Sequence, residues 1–369
     1  MTDTDAFGEH APAPGEHAPA PAEHAPQHRR RASARVRRRR LLLAIAAVVL
    51  LIVGAVSWYA AEANPFGAPG RPVIIDVRQD EPFREVVDAL AARGVVDSSL
   101  AFRIDTMLTG TPSVSPGYYE LRENSSFSTI RSVLDHGPNA LAMEVTPGET
   151  TLEMSDDLAG IEDASFASAF LHLARTGAVA SPFQPRRGAS LEGLLGTGLY
   201  ILVAKENPRT LLDQMVRGFD REAAAIGFTP STRRAGLDAY GIVTAASIVE
   251  KEGYYPRNMP RTATVIYNRL SIGMPLQMDS TVEYALGQDG GPVTSRTEHV
   301  RSLYNTYLHT GLTPTPICSV SLTALRAALH PPRGPWLFFT LVSPDGTMAF
   351  AATFAEQLAN ERLGARRGV

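Results

Sequence analysis

The chain has 369 residues and a formal net charge of −3, which is enough material for a hydrophobic core and for more than one domain. Its N-terminal part is arginine-rich, and residues 62–369 carry 27 basic and 33 acidic side chains, a balance of −6. This negative balance excludes a nucleic-acid-binding domain and disfavours an anionic membrane surface as a partner. Cys318 is the only cysteine, so an intramolecular disulfide and a cysteine-based zinc site are both excluded.

Residues 1–28 have low complexity. They repeat Glu-His-Ala-Pro at a seven-residue period, starting at Glu9, Glu16 and Glu23, with almost no aliphatic bulk. Such a segment cannot bury enough apolar surface to offset its chain entropy, so residues 1–40 are predicted to be a disordered cytoplasmic tail with an arginine-rich end. Metal binding by the repeated histidines is the alternative interpretation.

An uncharged apolar stretch at 41–61 follows eight arginines that lie between Arg29 and Arg40. About 20 apolar helical residues span a hydrocarbon core of about 30 Å, so 41–61 is predicted to be a transmembrane helix. The positive-inside rule then keeps the arginines in the cytoplasm and places the rest of the chain outside it, beyond a Pro/Gly linker at 62–72. Two alternatives remain, a nucleic-acid-binding arginine block and a cleavable signal that ends near Ala61-Glu62-Ala63.

Residues 73–140 are predicted to form a small α+β module. Alternating apolar residues predict its strands, a 3.6-residue apolar period predicts its helices, and Ser126 is the expected cap of the last helix. The predicted elements in chain order are a strand at 73–77, helices at 81–93 and 98–108, a strand at 117–121 and a helix at 126–136.

Residues 141–369 are predicted to form a larger α+β domain. It starts with a strand at 141–145 and a helix from 151. This strand–turn–helix segment resembles residues 73–90 only loosely, and the similarity is too weak to indicate a repeat. The remaining predicted elements are helices at 208–226, 236–253, 260–270, 321–329 and 353–363, a loop-rich segment at 271–316, and a hairpin of strands 336–342 and 347–351.

The stretch 248–252 (Ile-Val-Glu-Lys-Glu) ends an apolar helical run. Glu250 and Glu252 lie about 200° apart on a helical wheel, so they flank the apolar arc on opposite sides and cannot share a site. A half-buried carboxyl has a raised pKa, which suits a general acid that protonates a glycosidic oxygen. Wheel geometry prefers Glu252 only slightly, and exposed helix-end glutamates beside Lys251 are the alternative.

Other enzyme classes are tested by their missing motifs. Lys205 and Lys251 are the only lysines and neither follows a serine by three residues, which excludes the Ser-x-x-Lys acyl transferases. The sequence contains no Gly-x-Ser-x-Gly, His-Glu-x-x-His, P-loop lysine or dinucleotide glycine motif. A metal site is not expected, because the histidines after residue 61 are widely spaced: His136, His172, His299, His309 and His330.

Several motifs follow the two glutamates in a fixed order, and together they resemble the endolytic murein transglycosylase (YceG-like) family. Weaker matches run from about residue 73 to the C-terminus. The motifs are 246–252 (Ala-Ser-Ile-Val-Glu-Lys-Glu), 268–270 (Asn-Arg-Leu), 273–277 (Gly-Met-Pro-Leu-Gln), Asp279, 281–282 (Thr-Val), 304–307 (Tyr-Asn-Thr-Tyr) and 311–312 (Gly-Leu), with 117–119 (Gly-Tyr-Tyr) and 191–193 (Leu-Glu-Gly) upstream.

This resemblance implies a membrane-anchored enzyme with a LysM-like module at 73–140 and a catalytic YceG-type domain at 141–369. It implies cleavage of MurNAc–GlcNAc bonds in nascent peptidoglycan without water, which leaves a 1,6-anhydro-MurNAc end and needs no cofactor. The family's catalytic glutamate maps onto Glu252. Peptidoglycan strands, the membrane and, as a further option, penicillin-binding synthases are the expected partners.

The resemblance also suggests roles for the neighbouring polar side chains, with loop packing as the alternative for each. Gln277, Asp279 and Thr281 are expected to hydrogen-bond sugar or N-acetyl groups. Tyr304 and Tyr307 are expected to stack on sugar faces, and Asn305 is expected to bind an amide. Asn268 is expected to orient the acid. Glu250 is expected either to support the site or to form a salt bridge at the surface.

The chain departs from the family pattern in three places. Residues 194–198 (Leu-Leu-Gly-Thr-Gly) lack the usual Pro-Asp, and Met348 and Gln357 stand where the family has histidines. We expect a divergent but active enzyme, with a catalytically weakened relative as the alternative. Two other classes remain open, a non-enzymatic wall-binding or assembly protein and a hydrolase that releases reducing ends.

Overall fold

The structure, a computed structural model, describes residues 27–204, 206–288 and 297–369. The chain divides into two compact units, Met1–Phe66 and Gly67–Val369. The described part of the first unit contains helix α1, Gln27–Ala63. Its segment Arg35–Ala63 is long and apolar enough to cross a membrane.

Helix α1 begins earlier than the predicted span. Residues 27–40 are helical, which corrects the prediction that the whole of 1–40 is disordered. Arginine is a good helix former, and the adjoining apolar helix removes the cost of nucleating a new one. The histidine-rich repeat of residues 1–26 lies outside the described residues.

The second unit begins with the elements that the sequence predicted. Strands β1 and β2 pair in antiparallel fashion along their full length, and Val86, Val87 and Leu90 form the buried face of α2. Ser126 caps α4, as expected, by accepting a hydrogen bond from the Thr129 N–H. The elements are β1 Pro72–Val77, α2 Phe83–Ala92, α3 Ser99–Thr109, β2 Gly117–Arg122 and α4 Phe127–His136.

A second pair of strands follows. Thr150 and Glu153 form a capping box at the start of α5. Helix α6 and strand β4 were not predicted. The elements are β3 Ala140–Val145, α5 Thr151–Ile161, α6 Ala164–Arg175 and β4 Gly198–Val203.

All four strands belong to one antiparallel sheet in the order β1-β2-β3-β4. The link between β2 and β3 is a single residue pair, Tyr118 opposite Ala140. The predicted domain boundary between residues 140 and 141 therefore falls inside a continuous sheet, and the chain from Gly67 to Val369 is one compact unit.

The remaining chain is mostly helical, so the α+β class is confirmed. Helix α10 and a short 3-10 turn at Thr297–His299 lie in the segment predicted to be loop-rich. The elements are α7 Pro208–Ala225, α8 Ala239–Gly253, α9 Met259–Ser271, α10 Asp279–Leu286, α11 Leu322–Leu329, β5 Phe338–Leu341, β6 Met348–Ala351 and α12 Phe354–Arg367.

Helix α8 is the centre of the helical part. It packs against α9, α10 and α11, and residues 242–249 are all buried. The predicted apolar arc was thus too narrow, because neighbours cover the helix on every side. Cys318 is fully buried against it.

Candidate active site

Helix α8 delivers its two glutamates to the edge of the core. Its start is fixed by Asp238, which accepts a hydrogen bond from the Gly241 N–H at 2.8 Å. Inside the helix, the Ser247 hydroxyl donates to the Thr244 carbonyl and accepts from the Ile317 N–H. These bonds satisfy the buried polar groups, so the helix can run through the core and end at a charged tip.

Glu252 is held by the first turn of α10. Its Oε1 accepts two hydrogen bonds from Ser280, one from the hydroxyl at 2.7 Å and one from the backbone N–H at 3.2 Å. Ser280 is the second residue of α10, where a backbone N–H has no partner within its own helix. The carboxyl therefore occupies a natural anion site at a helix N-terminus while remaining partly accessible to solvent.

The surrounding protein raises the pKa of Glu252 to about 7. Desolvation is the largest cause, the two Ser280 hydrogen bonds oppose it, and the negative charges of Asp279 and Glu283 add to it. A carboxyl with this pKa is substantially protonated at neutral pH, yet can also exist as a base. Glu252 can therefore donate a proton and take one back at the same site.

Glu250 points to a different part of the molecule. Its Oε2 accepts a hydrogen bond from the Ser321 N–H at 2.7 Å, and Ser321 is the residue that caps α11. Glu250 therefore ties the end of α8 to the start of α11. The separation of the two acids agrees with the wheel geometry, and the bond to Ser321 gives Glu250 a structural role.

Gln277 and Asp279 lie on the surface at the start of α10. Gln277 has a left-handed backbone (φ 48°), and its N–H donates to the Thr306 carbonyl, so its side chain is left exposed. Asp279 accepts a short hydrogen bond from the Tyr307 hydroxyl. Burial, and then the bond to Asp279, raise the pKa of Tyr307, so its hydroxyl stays protonated. Gln277 lies three residues and Asp279 one residue before Ser280, which binds Glu252, so Asp279 and its partner Tyr307 lie near the acid.

Thr281 and Asn305 cannot bind substrate as the resemblance suggested, because both are fully buried. The Thr281 hydroxyl donates to the Met278 carbonyl and contacts the Thr306 hydroxyl at 2.9 Å. The Asn305 amide donates to the carbonyls of Glu298 and Val300. Thr281 instead joins α10 to the 298–307 segment and Asn305 holds that segment together, which corrects the two expectations.

Tyr304 is partly buried, so its ring is not fully exposed for stacking on a sugar. Its ring packs on that of Tyr284 from α10 at 4.9 Å between centroids, and its hydroxyl lies 2.9 Å from the Thr315 hydroxyl. One ring face is thus used inside the protein. Tyr307 is the better placed of the two tyrosines for a ligand.

Asn268 does not orient the acid, contrary to expectation. Its amide donates to the carbonyls of Gly334 and Trp336 at 2.9 and 2.8 Å and fastens α9 to the segment before β5. Its neighbour Arg269 is buried and donates to the carbonyls of Leu276 and Leu337. Desolvation lowers the pKa of Arg269, and electrostatic interactions with Tyr307 and Glu252 oppose this change.

A third glutamate, Glu192, was not selected from the sequence as a site residue. It is 2 % exposed and accepts hydrogen bonds from the Thr151 N–H, the Thr151 hydroxyl and the Tyr284 hydroxyl. Desolvation raises its pKa to about 7 against these bonds. Glu192 lies beside a cavity of about 360 Å³ and connects the start of α5 to α10, the helix that holds Glu252.

The departures from the family pattern fall on packed positions. Leu194 and Leu195 are buried, and a side chain at Gly196 would come within 2.5 Å of the Phe219 nitrogen on α7. Met348 lies in β6, and the buried Gln357 amide donates to the Phe339 carbonyl and to Glu361. Leu194, Leu195 and Gly196 therefore serve close packing here. Within the described part of the chain, no three histidine, cysteine or acidic side chains are grouped to hold a metal.

Comparison with known proteins places this site in a family. An endolytic murein transglycosylase of Bacillus subtilis (strain 168) is 25 % identical over 324 residues, which cover 83 % of this chain and 89 % of that protein. A protein of the same name from Streptococcus pneumoniae (serotype 2, strain D39) is 24 % identical over 310 residues, 76 % of this chain but only 56 % of its own length.

A crystal structure of a yceG-like protein from Listeria monocytogenes is 23 % identical and aligns with a TM-score of 0.47, over 79 % of this chain and 99 % of that one. The model of the YceG-like family matches residues 75–363, which include every residue of the candidate site. The chain therefore belongs to the YceG-like family.

Proposed function

We propose that this protein is an endolytic murein transglycosylase that cuts MurNAc–GlcNAc bonds within peptidoglycan strands. The observation that carries the proposal is Glu252, a carboxyl with a pKa of about 7 that two Ser280 hydrogen bonds hold at the end of a buried helix. The names of the relatives that match most of the chain support the same activity.

In the first step, the neutral Glu252 carboxyl protonates the glycosidic oxygen, and the bond from that oxygen to C1 of MurNAc breaks. Both Ser280 hydrogen bonds end on Oε1, so Oε2 is the oxygen placed to carry the proton. The ionised carboxyl that remains is stabilised by the same two bonds and by the N-terminal end of α10.

In the second step, the Glu252 carboxylate removes the proton from the 6-hydroxyl of the same MurNAc residue as its oxygen bonds to C1. This intramolecular attack closes the 1,6-anhydro ring and returns the proton to Glu252. No water is consumed, because a substrate hydroxyl held next to C1 has a large effective-concentration advantage. One carboxyl therefore serves both steps, and the reaction needs no cofactor.

The polar side chains around the start of α10 are proposed to orient the sugar. Gln277 and Asp279 are exposed and Tyr307 is partly exposed, which suits hydrogen bonds to hydroxyl and N-acetyl groups. The Asp279 charge has a second effect, since it raises the pKa of Glu252 and keeps the acid protonated.

We further propose that α1 is a single-pass anchor with a cytoplasmic N-terminus and an extracytoplasmic catalytic unit. The apolar segment Arg35–Ala63 and the arginines that precede residue 41 support this orientation. Residues 73–140 are proposed to be a LysM-like module that binds glycan. Penicillin-binding synthases, which make the strands, are proposed partners.

The chemical alternative is a hydrolase in which Asp279 activates water against the same bond. The two reactions differ in product mass, because hydrolysis adds water and gives a product about 18 mass units heavier than the anhydro form. Mass spectrometry of strands released by the full-length protein in detergent should find anhydro ends. Release of reducing ends alone would overturn the transglycosylase assignment.

The non-enzymatic alternative is a wall-binding or assembly protein. Digestion of uncrosslinked glycan strands with the parent protein and with Glu252→Gln separates the two functions. The proposal expects anhydro-ended fragments from the parent and almost none from the variant. An inactive parent that still binds strands would favour the binding protein.

A further inference from the structure

Two segments of the compact unit share one plan, residues 72–122 and residues 140–203. Each consists of a strand, two helices and a second strand that returns antiparallel to the first. Within each segment the first residue of the first strand lies opposite the last residue of the second: Pro72 faces Arg122, and Ala140 faces Val203. We call these segments the first and second repeat.

The strand sequences match once the structure shows how to align them. Gly-x-Tyr-x-Leu opens β2 at residues 117–121 and β4 at residues 198–202. Ile75-Asp76-Val77 ends β1, and Met143-Glu144-Val145 ends β3, 68 residues later. The same shift brings the buried Val86 and Leu90 of α2 onto the buried Met154 and Leu158 of α5.

Two local hydrogen bonds also recur. The Tyr119 hydroxyl donates to the Ser115 carbonyl at 2.7 Å, and the Tyr200 hydroxyl donates to the Gly196 carbonyl at 2.7 Å, both four residues back. After β1 the Arg78 N–H donates to the Glu81 carboxylate, and after β3 the Thr146 N–H donates to the Glu149 carboxylate.

The backbone of these two turns is the same as well. Asp80 and Gly148, 68 residues apart, are both left-handed, with φ of 58° and 91°. A left-handed aspartate is uncommon, so its presence at the position of a glycine in the other copy indicates one turn design used twice.

The two repeats differ in what faces this turn. In the first repeat the turn lines a cavity of about 300 Å³ whose opposite wall is the 111–116 segment before β2. In the second repeat it lines a cavity of about 330 Å³ whose opposite wall is the end of α8, with Glu250, Lys251 and Tyr254. Tyr254 follows Glu252 by two residues.

We propose that the chain contains two copies of one glycan-binding βααβ module, and that the second copy binds an aminosugar at the end of α8, between its 146–149 turn and Tyr254, on the side of the helix that carries Glu250. This inference rests on the proposed function, since it takes peptidoglycan strands as the ligand. The second copy then holds the strand at the end of the helix that carries Glu252 and influences where the cut falls.

The chemistry of this groove suits a neutral, hydroxyl-rich ligand. The Tyr254 side chain is 74 % exposed, and its ring offers a flat apolar surface on which a sugar face can stack. The backbone of the turn supplies acceptors for sugar hydroxyls, and Glu149 and Glu153, each bound through one carboxylate oxygen to a backbone N–H, line the same groove. The cavity has the size of a small-ligand site.

Binding is tested with full-length Glu252→Gln protein in detergent and soluble, uncrosslinked glycan strands, so that the ligand is not cut. Adding Tyr254→Ala should weaken binding by roughly tenfold, as for loss of one well-placed aromatic contact. Tyr254→Phe keeps the ring and should bind like the parent. This pair separates stacking from a role of the hydroxyl.

A second variant blocks the opposite wall. Gly148→Asn should also weaken binding, because it puts a side chain into the groove where no atom lies within 4 Å of the new Cβ. Asp80 shows that this turn accepts an L-residue, and asparagine tolerates the left-handed region. Gly227→Asn is the matched control, with φ of 74° and open space around it but outside the groove.

Unchanged thermal melting of the variants shows that they are folded. If folded Tyr254→Ala and Gly148→Asn both bind strands as tightly as Glu252→Gln alone, the inference is overturned. The same substitutions in active protein should shift the length distribution of the fragments. If the parent protein, with Glu252 intact, binds strands but does not cut them, the proposed activity is refuted. Strand binding by the Tyr254→Ala and Gly148→Asn variants then still decides this inference.

Discussion

At the scale of single residues, the site depends on a balance of two effects on one carboxyl. Desolvation and the charges of Asp279 and Glu283 raise the pKa of Glu252, and two hydrogen bonds from Ser280 lower it. The first effect dominates, since the resulting value is about 7. Without the Ser280 hydrogen bonds, the Glu252 carboxylate formed during the reaction would have no hydrogen-bond partner in a poorly solvated site.

Glu252→Gln should lower kcat by about 100- to 10,000-fold, the usual range for a general acid or base. Glu250→Gln is the control, because its carboxylate holds the Ser321 N–H and not Ser280. Release of anhydro-ended fragments per unit time measures both variants. Equal losses in the two variants would contradict the assignment of roles.

The rate should fall on the alkaline side, because the first step needs protonated Glu252. With a pKa of about 7, kcat/KM is expected to be highest below pH 7 and to drop about tenfold per pH unit well above it. A pH profile of strand cleavage tests this. If kcat/KM stays constant over about three pH units, from roughly pH 6 to pH 9, Glu252 is excluded as the acid.

Ser280→Ala should move that alkaline limb to higher pH. The hydroxyl stabilises the carboxylate of Glu252, so its removal raises the pKa of the acid further, by about one unit for a hydrogen bond to a charged group. Ser271→Ala is a suitable control, since that exposed hydroxyl donates to the Asn268 carbonyl. A shift to lower pH would contradict this account of the hydrogen bond.

At the scale of elements, the position of α10 decides whether the site is assembled. Its first turn holds Glu252 through Ser280, and one turn later the Tyr284 hydroxyl donates to Glu192. Glu192 in turn accepts the Thr151 N–H at the start of α5. The second repeat and the catalytic acid are therefore connected through α10.

The buried Glu192 makes stability depend on pH. The pKa of Glu192 is about 7 in the folded state, above the ordinary value of 4.5. The contribution of Glu192 to stability is therefore fully present below pH 4.5 and is lost as the pH rises towards 7. Glu192→Gln cannot ionise. Relative to the parent it should gain about 2 to 3 kcal/mol between pH 5 and pH 8, as measured by urea unfolding.

The exposed Glu144 on β3 supplies the comparison for this measurement. Glu144→Gln should change the free energy of unfolding by nearly the same amount at pH 5 and at pH 8. The same small, pH-independent change in Glu192→Gln would show that desolvation of Glu192 is not what raises its pKa.

Elements with strong local signals were predictable from the sequence. The capped helices α4 and α5 and the paired strands β1 and β2 are examples, because caps and apolar periods act within a few residues. Helix α10 has eight residues and no side-chain cap, so nothing local distinguishes it from a loop. The continuous apolar run of β4 gives no alternation, which is why that strand was missed.

The site was only partly predictable for a related reason. Glu252 could be selected by motif, but its partner Ser280 lies 28 residues away, and the partners of Glu192 lie 41 and 92 residues away. Burial of Thr281 and Asn305 depends on how α10 packs on the 298–307 segment, which sequence spacing does not report. The duplicated module likewise became visible only through strand register.

At the scale of the whole molecule, the proposed substrate and the catalytic unit must lie on the same side of a membrane. Peptidoglycan is extracytoplasmic, so the proposed function requires the residues after α1 to be outside the cytoplasm and predicts that the residues before it are inside. The single cysteine makes this measurable. Cys318 is fully buried, its thiol donates to the Ser247 carbonyl, and burial raises its pKa, so it should not react in the folded protein.

Introduced cysteines can therefore report topology without removing Cys318. Met107 on α3 is 84 % exposed, so Met107→Cys should react with a membrane-impermeant maleimide on intact cells. Thr4→Cys in the tail should react only after lysis, and the parent should stay unlabelled until denatured. The reverse labelling pattern would place the catalytic unit in the cytoplasm, where it could not reach its proposed substrate. If the chain is shorter than expected and Thr4→Cys is not labelled even after lysis, the chain has instead been cleaved after the apolar segment.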